Sequence, residues 1–197
     1  VIESVPGVTV FSDQNFAQDT RLAIRGVGLR SSFGIRGVKV FLDGVPESTP
    51  DGQAQLDAID LAFLRTIEIF KNPTPVVFGN ASGAAINLIS NPISNRSKNK
   101  FNVCIGSYDS RKVNIELNGL QKSFKWRING LHKFSKGFRQ HSSTESNILN
   151  LDTEFTLKGD RRLKISLNNL FSPFSYDPGS LILQEVNQDR SMARATN

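Results

Sequence analysis

Few side chains in this 197-residue sequence have the spacing that catalysis requires. Gly26 and Gly28 lack the rest of a dinucleotide-binding fingerprint. The histidines His132 and His141 have no metal-ligand spacing to carboxylates, and nothing around the single cysteine, Cys104, indicates an activated thiol. No serine lies in a nucleophile-elbow motif. We therefore expect no enzyme activity, no catalytic residue, no cofactor and no metal site.

Cationic side chains are the other chemical feature of the sequence. Residues 25–37 contain three arginines, Arg25, Arg30 and Arg36, interspersed with four glycines. Glycine tolerates backbone conformations that other residues avoid, so this segment can place cationic side chains at the tip of a loop.

Charge divides the chain into two regions. Residues 1–96 carry a net charge of −1 and residues 97–197 carry +7, which gives the total of +6. The boundary falls in the polar stretch NPISNRSKNK, which is typical of a linker. The absence of an apolar run of about 18 residues excludes a protein that spans a membrane with helices. A lone cysteine excludes a disulfide framework.

The first region contains short apolar segments separated by turns rich in Gly and Pro. Their composition predicts strands at residues 8–11, 22–25, 38–42, 66–70 and 85–89. Residues 54–64 place Leu56, Ile59, Leu61 and Leu64 at spacings of mixed three and four residues, which predicts a short helix. The region is thus predicted to be a small mixed α/β unit.

The second region alternates apolar and polar residues, which predicts strands with two different faces. Five such runs occur, beginning near Phe101, Val113, Phe124, Leu149 and Leu163. The pattern fits either a soluble antiparallel sheet or an outer-membrane β-barrel, because a polar face suits both solvent and a wet lumen. Five strands cannot close a wide barrel.

Six sequence blocks follow one another along the first region. They are SVPGVTV (4–10), LAIRGVG (22–28), VKVFLDGVP (38–46), PDGQ (50–53), LRTIEIFKNP (64–73) and VVFGNASGAAINLIS (76–90). In this order they resemble the plug domain of TonB-dependent outer-membrane receptors, most of all the ferric-siderophore and ferric-dicitrate branch.

The resemblance implies a fold and a setting. The fold class is an α+β plug domain at residues 1–96, a small mixed sheet with short helices whose N-terminal part is missing. It is followed at 97–197 by about five antiparallel transmembrane β-barrel strands of an incomplete barrel. The resemblance implies a monomer in the outer membrane of a Gram-negative bacterium, surrounded by lipid. Its expected partners are a ferric chelate and the TonB energy-transducing complex, whose contact segment is absent here.

The resemblance also implies that the outward loops of the plug bind the ligand. The candidate residues lie in three loops: Gln14, Asn15 and Phe16; Arg30, Ser31, Ser32 and Phe33; Glu47, Ser48 and Thr49. Our hypothesis is that Arg30 attracts the anionic face of a ferric chelate while Phe16 and Phe33 cover its apolar parts. The alternative is that Arg30 is a solvated loop cation.

Two further features concern the plug scaffold. Arg25 and Glu68 lie in apolar segments, where a charge needs a partner, so we expect a structural ion pair between them. The sequence has Lys71-Asn72-Pro73 where the family commonly has RGP, Phe78 in place of Tyr, and Ala84 in place of a second Gly. Since Asn lacks the freedom of Gly, we expect the turn at Asn72 to be strained.

Two other functions compete with the receptor. The basic second region, with aromatics among its cations, suggests a nucleic-acid-binding protein. Aromatics and cations that alternate along a strand point to opposite faces, however, so they do not form a stacking platform, and we expect no nucleic-acid partner. Alternatively, the chain is a truncated or decayed gene product that transports nothing.

Overall fold

The computed structural model describes residues 4–11, 15–31, 34–72, 78, 83–93, 99–159 and 161–194. The chain divides into two compact units. The first comprises Val1–Gln14 and Gln18–Pro92, and the second comprises Asn15–Ala17 and Ile93–Asn197. The predicted domain boundary between residues 96 and 97 stays a prediction, because residues 94–98 lie outside the described part.

The first unit consists of short strands. They are β1 (Val8–Phe11), β2 (Arg21–Ile24), β3 (Ile35–Arg36), β4 (Val38–Leu42), β5 (Val45–Pro46), β6 (Gln53–Ala54), β7 (Leu64–Phe70) and β8 (Ala84–Ser90). The predicted helix at 54–64 is wrong over most of its length, because residue 54 pairs in β6 and only Leu61–Phe63 forms a single 3-10 turn. Asp60 caps that turn by accepting a hydrogen bond from the Ala62 amide at 2.8 Å.

Strand β8 is the centre of the first unit. The four-stranded sheet has the order β5-β4-β8-β7, in which β8 runs parallel to β4 and antiparallel to β7. The sequence AAINLIS suits this position, since Ala84, Ala85 and Ile86 are almost completely buried. A core of aliphatic side chains from the strands surrounds them, including Leu22, Ile24, Ile35, Val38, Val40 and Leu88.

The hairpin between β4 and β5 turns on the dipeptide Asp43-Gly44. Both residues have positive φ, 51° and 85°, which is the conformation of a two-residue type I′ turn. The Asp43 carboxylate then accepts hydrogen bonds from the Ser90 amide at 2.8 Å and the Ser90 hydroxyl at 2.7 Å. The turn is therefore fastened to the end of the central strand.

The second unit is one antiparallel sheet of long strands. They are β9 (Lys100–Gly106), β10 (Ser110–Gln121), β11 (Phe124–Ser135), β12 (Thr144–Thr156) and β13 (Arg162–Ser175), and a short helix, α1 (Leu183–Gln188), follows. The order β13-β12-β11-β10-β9 is the order of the chain, so every strand pairs with its neighbours in sequence. The five strands are those that the alternation predicts, and within the described residues they form an open sheet.

The register gives this sheet a polar face and an apolar face. Cross-strand partners share a face, so Asn118, Arg127, Asp152 and Ser166 form one polar row. Arg127 and Asp152 form a buried ion pair, and Ser166 donates to Asp152 at 2.7 Å. The apolar face is the exposed one: its large exposed side chains include Phe101, Val103, Ile105, Ile115, Leu149, Ile165, Leu167 and Phe171. This distribution is the reverse of that in a soluble sheet.

Aromatic side chains lie at both ends of the apolar face. At the end with the short turns 122–123 and 157–161, Phe124 stacks on Phe155 with ring centroids 4.7 Å apart. At the other end Phe134 contacts Phe174, which stacks on Tyr176 at 5.4 Å. The described residues contain no helix of the length and apolarity needed to span a membrane.

Gly28 lies where the chain approaches its own backbone closely. Its φ is +95°, and a Cβ there would lie 2.5 Å from the Leu22 carbonyl oxygen. Gly52 also has positive φ, +82°, but a Cβ there would have no atom within 4 Å. An alanine at position 52 would therefore have the cost of positive φ alone, whereas an alanine at position 28 would have that cost and a steric clash.

We expect Gly52→Ala to lower the free energy of unfolding of the first unit by about 1–2 kcal/mol, the cost of a left-handed alanine. Gly28→Ala should cost about 1–3 kcal/mol more, because the Leu22 backbone must also move. The measurement is a urea titration of the chain in detergent micelles, followed by the amide NMR signals of β2. Equal costs for the two variants would contradict this packing.

Candidate functional site

The loop after β2 carries the predicted residues Arg30 and Ser31. Its backbone closes on itself, since the Val27 amide donates to Ile24 at 3.0 Å and the Ser31 amide donates to Gly28 at 3.1 Å. Arg30 is exposed at the tip of this turn. Ser31 is only 8% exposed. Of these two residues, Arg30 is the one that can reach a ligand from solvent.

The loop after β5 carries Glu47, Ser48 and Thr49. The Ser48 hydroxyl accepts a hydrogen bond from the Val40 amide at 3.2 Å. The Thr49 hydroxyl donates to the Gln53 carbonyl at 2.8 Å and also contacts the Asp51 carboxylate. Ser48 and Thr49 thus build the loop, while partial burial raises the pKa of Glu47.

Strands β3 and β6 join these two loops. Ile35 pairs with Ala54 and Arg36 with Gln53, and the Arg36 guanidinium donates to Gln53 Oε1 at 3.3 Å. The hydrogen bond from Thr49 is the main cause that lowers the pKa of Asp51, and the charge of Arg36 adds to it. Sequence reasoning identified Arg36 as a loop cation but left it out of the candidate site. No local sequence signal identifies this contact, because Arg36 and Gln53 are seventeen residues apart.

The third predicted loop groups with the second unit. Asn15 donates from Nδ2 to Asp177 Oδ1 at 2.8 Å, and Lys133 Nζ lies 3.9 Å from the centroid of the Phe16 ring. Phe16 is 46% exposed. The remaining predicted site residues, Gln14, Ser32 and Phe33, lie outside the described residues.

The expected ion pair between Arg25 and Glu68 is replaced by two hydrogen bonds to amides. Arg25 donates to Asn72 Oδ1 at 2.8 Å, and Glu68 accepts from Asn87 Nδ2 at 2.9 Å. The physical reason is that β2 ends at Ile24, so Arg25 lies in a turn with φ of 50° and is exposed. An exposed guanidinium needs no carboxylate partner.

Among the described residues, no group of three or more His, Cys, Asp and Glu side chains could hold a metal ion. The described loops offer exposed cations and hydrogen-bonding groups.

The model of the protein family TonB-dependent Receptor Plug Domain matches residues 1–86 of this chain. Residues 1–86 belong to the plug domain family of TonB-dependent receptors. The family consists of receptors and transporters, and it is not a family of enzymes.

Solved structures share the fold of the plug domain and of the strands that follow it. The pyoverdine outer membrane receptor FpvA from Pseudomonas aeruginosa PAO1, bound to pyoverdine, is 21% identical with a TM-score of 0.67, and the match covers 88% of this chain and 26% of that one. The ferric yersiniabactin uptake receptor FyuA from Yersinia pestis is 17% identical with a TM-score of 0.68 and coverages of 86% and 28%. The copper transporter OprC is 16% identical with a TM-score of 0.69 and coverages of 90% and 28%. The chain thus spans about a quarter of the length of these structures.

Two residues that depart from the family pattern, Lys71 and Asn72, form hydrogen bonds in the structure. Lys71 donates from Nζ to the Pro6 carbonyl at 2.5 Å, and Asn72 accepts the hydrogen bond from Arg25. The Arg25 amide in turn donates to Gly7 at 2.8 Å. Asn72 is not among the residues with positive φ, so the strain expected there is absent. Three sequence blocks are therefore tied together at one place.

Asp57 provides a test of the electrostatics of the plug domain. Desolvation, followed by a hydrogen bond and charge repulsion from Asp19, raises the pKa of Asp57 to about 6 from 3.8. Between these values the folded state binds more protons than the unfolded state, so stability must fall as pH rises from about 4 to about 6.

We expect Asp57→Asn to remove this part of the pH dependence and to make the plug domain more stable than the parent above pH 6. Asp51→Asn is the matched control with the opposite sign. Because hydrogen bonds lower the pKa of Asp51, its loss should destabilise the plug domain at neutral pH and have little effect in acid. Urea titrations at several pH values, followed by amide NMR signals of β6 and η1 (Leu61–Phe63), measure both effects. A parallel pH profile for parent and Asp57→Asn would contradict the assignment.

Proposed function

We propose that the chain is the plug and the first barrel strands of a TonB-dependent outer-membrane receptor that takes up a ferric chelate. One observation carries the proposal: the plug family match at residues 1–86 continues into a fold likeness that covers 88% of the chain with a pyoverdine receptor. The ferric yersiniabactin receptor supports the same class of cargo.

The second unit supports a location in the outer membrane. Strands of membrane β-barrels carry an apolar face toward lipid, bounded by aromatic residues at both interfaces, and a polar face toward the lumen. The exposed apolar face, with Phe124 and Phe155 at one end and Phe134 and Phe174 at the other, has this arrangement. Along β11, ten residues at about 3.3 Å each, tilted by about 40°, span roughly 25 Å of bilayer.

The proposed mechanism is gated transport without bond chemistry. The plug is the gate, a monomeric barrel is the path, and the TonB energy-transducing complex moves the plug to admit the ligand. A strand-rich plug whose turns are fastened by hydrogen bonds suits this role.

Exposed cations support an anionic ligand. Arg30 is exposed at the tip of the loop after β2. Arg36 is exposed on β3 and donates a hydrogen bond to Gln53 of β6. Guanidinium groups bind carboxylate and phenolate oxygens through short charge-assisted hydrogen bonds. In the proposal these two arginines recognise the chelate.

Nucleic-acid binding is not favoured by the arrangement of the sheet. Trp126 shares its face with Gly119 and Thr153, whereas Arg127 shares the opposite face with Asn118 and Asp152. Arg127 is also only 2% exposed, so it cannot contact a phosphate backbone.

We expect Arg30→Gln, in a complete receptor that carries this plug, to weaken binding of ferric dicitrate about tenfold, because one charge-assisted hydrogen bond is lost. A neutral ferric trihydroxamate should bind the variant and the parent equally. The measurement is the Kd of each chelate together with uptake of radioactive iron by iron-starved cells.

Arg65→Gln is the matched control, since Arg65 is exposed on β7 and lies outside the candidate loops. Unchanged ferric dicitrate affinity in Arg30→Gln would contradict the role of Arg30. Uptake of copper in place of either chelate would overturn the ferric cargo and leave the receptor family in place.

A further inference from the structure

The end of the five-stranded sheet with the short turns is strongly basic. Four exposed cations flank the turns at 122–123 and 157–161: Lys122, Lys158, Arg161 and Arg162. We call these four residues the basic rim. The sequence of the two turns contains one carboxylate, Asp160, so the basic rim and Asp160 together carry a net charge of about +3.

Nearby carboxylates are engaged by cations of the strands. Glu154 forms an ion pair with Lys125 at 3.8 Å, and Glu116 forms one with Lys100 at 3.2 Å. Asp152 pairs with Arg127. The positive charge of the basic rim is therefore not balanced by these carboxylates of the adjoining strands.

The opposite end of the sheet differs. There Arg111 and Lys136 both contact Asp109, at 2.5 and 3.4 Å. These two ion pairs lower the pKa of Asp109, Arg111 being the larger cause. At this end Arg111 and Lys136 thus share one carboxylate partner, Asp109.

Aromatic rings fix the level of the basic rim. The stacked pair Phe124 and Phe155 lies on the apolar face, and Trp126 lies on the same face two residues further along β11. Lys122 precedes Phe124 by two residues and Lys158 follows Phe155 by three, about 7–10 Å of extended chain. Aromatic residues prefer the interface between hydrocarbon and headgroups, so cations just beyond them lie at the level of the headgroups.

We propose that the basic rim binds the phosphate groups of anionic phospholipids. The inference rests on the proposed function, because it requires the apolar face to lie in lipid. Clustered Lys and Arg beside a membrane attract anionic lipid, and Arg161 and Arg162 contribute two of the four charges of the basic rim. The hydrogen bond from the Leu157 amide to the Arg161 carbonyl, 2.7 Å, holds the turn that presents them.

The single tryptophan of the chain, Trp126, provides the measurement. Its fluorescence shifts to the blue when the apolar face enters lipid. The chain is mixed with vesicles of phosphatidylcholine alone or with an equimolar mixture of phosphatidylcholine and phosphatidylglycerol, and partitioning is measured at low and high salt. The variants are Arg161→Gln/Arg162→Gln and, as a second pair, Lys122→Gln/Lys158→Gln. The matched control is Arg111→Gln/Lys136→Gln, which removes the same charge from the other end.

We expect the parent to prefer the vesicles that contain phosphatidylglycerol by about tenfold or more at low salt. Both rim variants should lose most of this preference, while the control and Arg161→Lys/Arg162→Lys should keep it. Equal losses in the rim variants and the control would overturn the proposal in favour of a net-charge effect. A parent that enters both kinds of vesicle equally would also overturn it and leave the lipid-facing sheet intact. If Trp126 enters neither kind, the lipid-facing role under the proposed function fails as well.

Discussion

The register of the five long strands is the constraint on which the second unit depends. Side chains alternate with a period of two, so a slip of one residue would exchange the faces. A slip of β11 against β12 would place Arg127 on the apolar face of Ile128 and Leu151. Arg127 would then no longer lie opposite Asp152, and the buried ion pair would be broken. Removing one partner from such a pair costs about 3–5 kcal/mol. The pair therefore selects one register more strongly than the exchangeable aliphatic residues can.

In the plug, the C-terminal end of β8 has a comparable role. Asp43 fastens the β4–β5 hairpin to Ser90, and the Asn91 amide donates to Phe63 at 2.9 Å. The hairpin and the 3-10 turn of Leu61–Phe63 therefore both attach at the last residues of the central strand. Loops anchored in this way lose little further entropy when a ligand binds, which favours a site built from their tips.

Local patterns predict much of this fold. The alternation of apolar and polar residues from Phe101 to about Leu167 predicts all five long strands. It does so because one face of each strand is apolar at nearly every position. The order of the sequence blocks predicts the plug family. The pattern cannot predict which hydroxyls close a loop, because a hydrogen bond such as that from Thr49 to Gln53 depends on the turn between them. The same holds for Asn15 and Phe16, whose partners Asp177 and Lys133 are distant in sequence. The helix predicted at 54–64 failed because pairing of residue 54 with Ile35 in β3 outweighs a local periodicity.

The KNP turn of the plug shows how a motif can change its residues and keep its contacts. Glycine has no side-chain acceptor, so a glycine at position 72 would leave Arg25 without its hydrogen bond to this turn. Lysine at position 71 serves where arginine is common because its acceptor is a single backbone carbonyl, that of Pro6, and such a contact needs a point charge and no planar fork. The two substitutions are thus complementary: Lys71 holds the PGV turn, and Asn72 holds the arginine of the IRG block, whose amide binds the same PGV turn at Gly7. What the fold requires at this place is a link between three blocks, and more than one set of side chains can provide it.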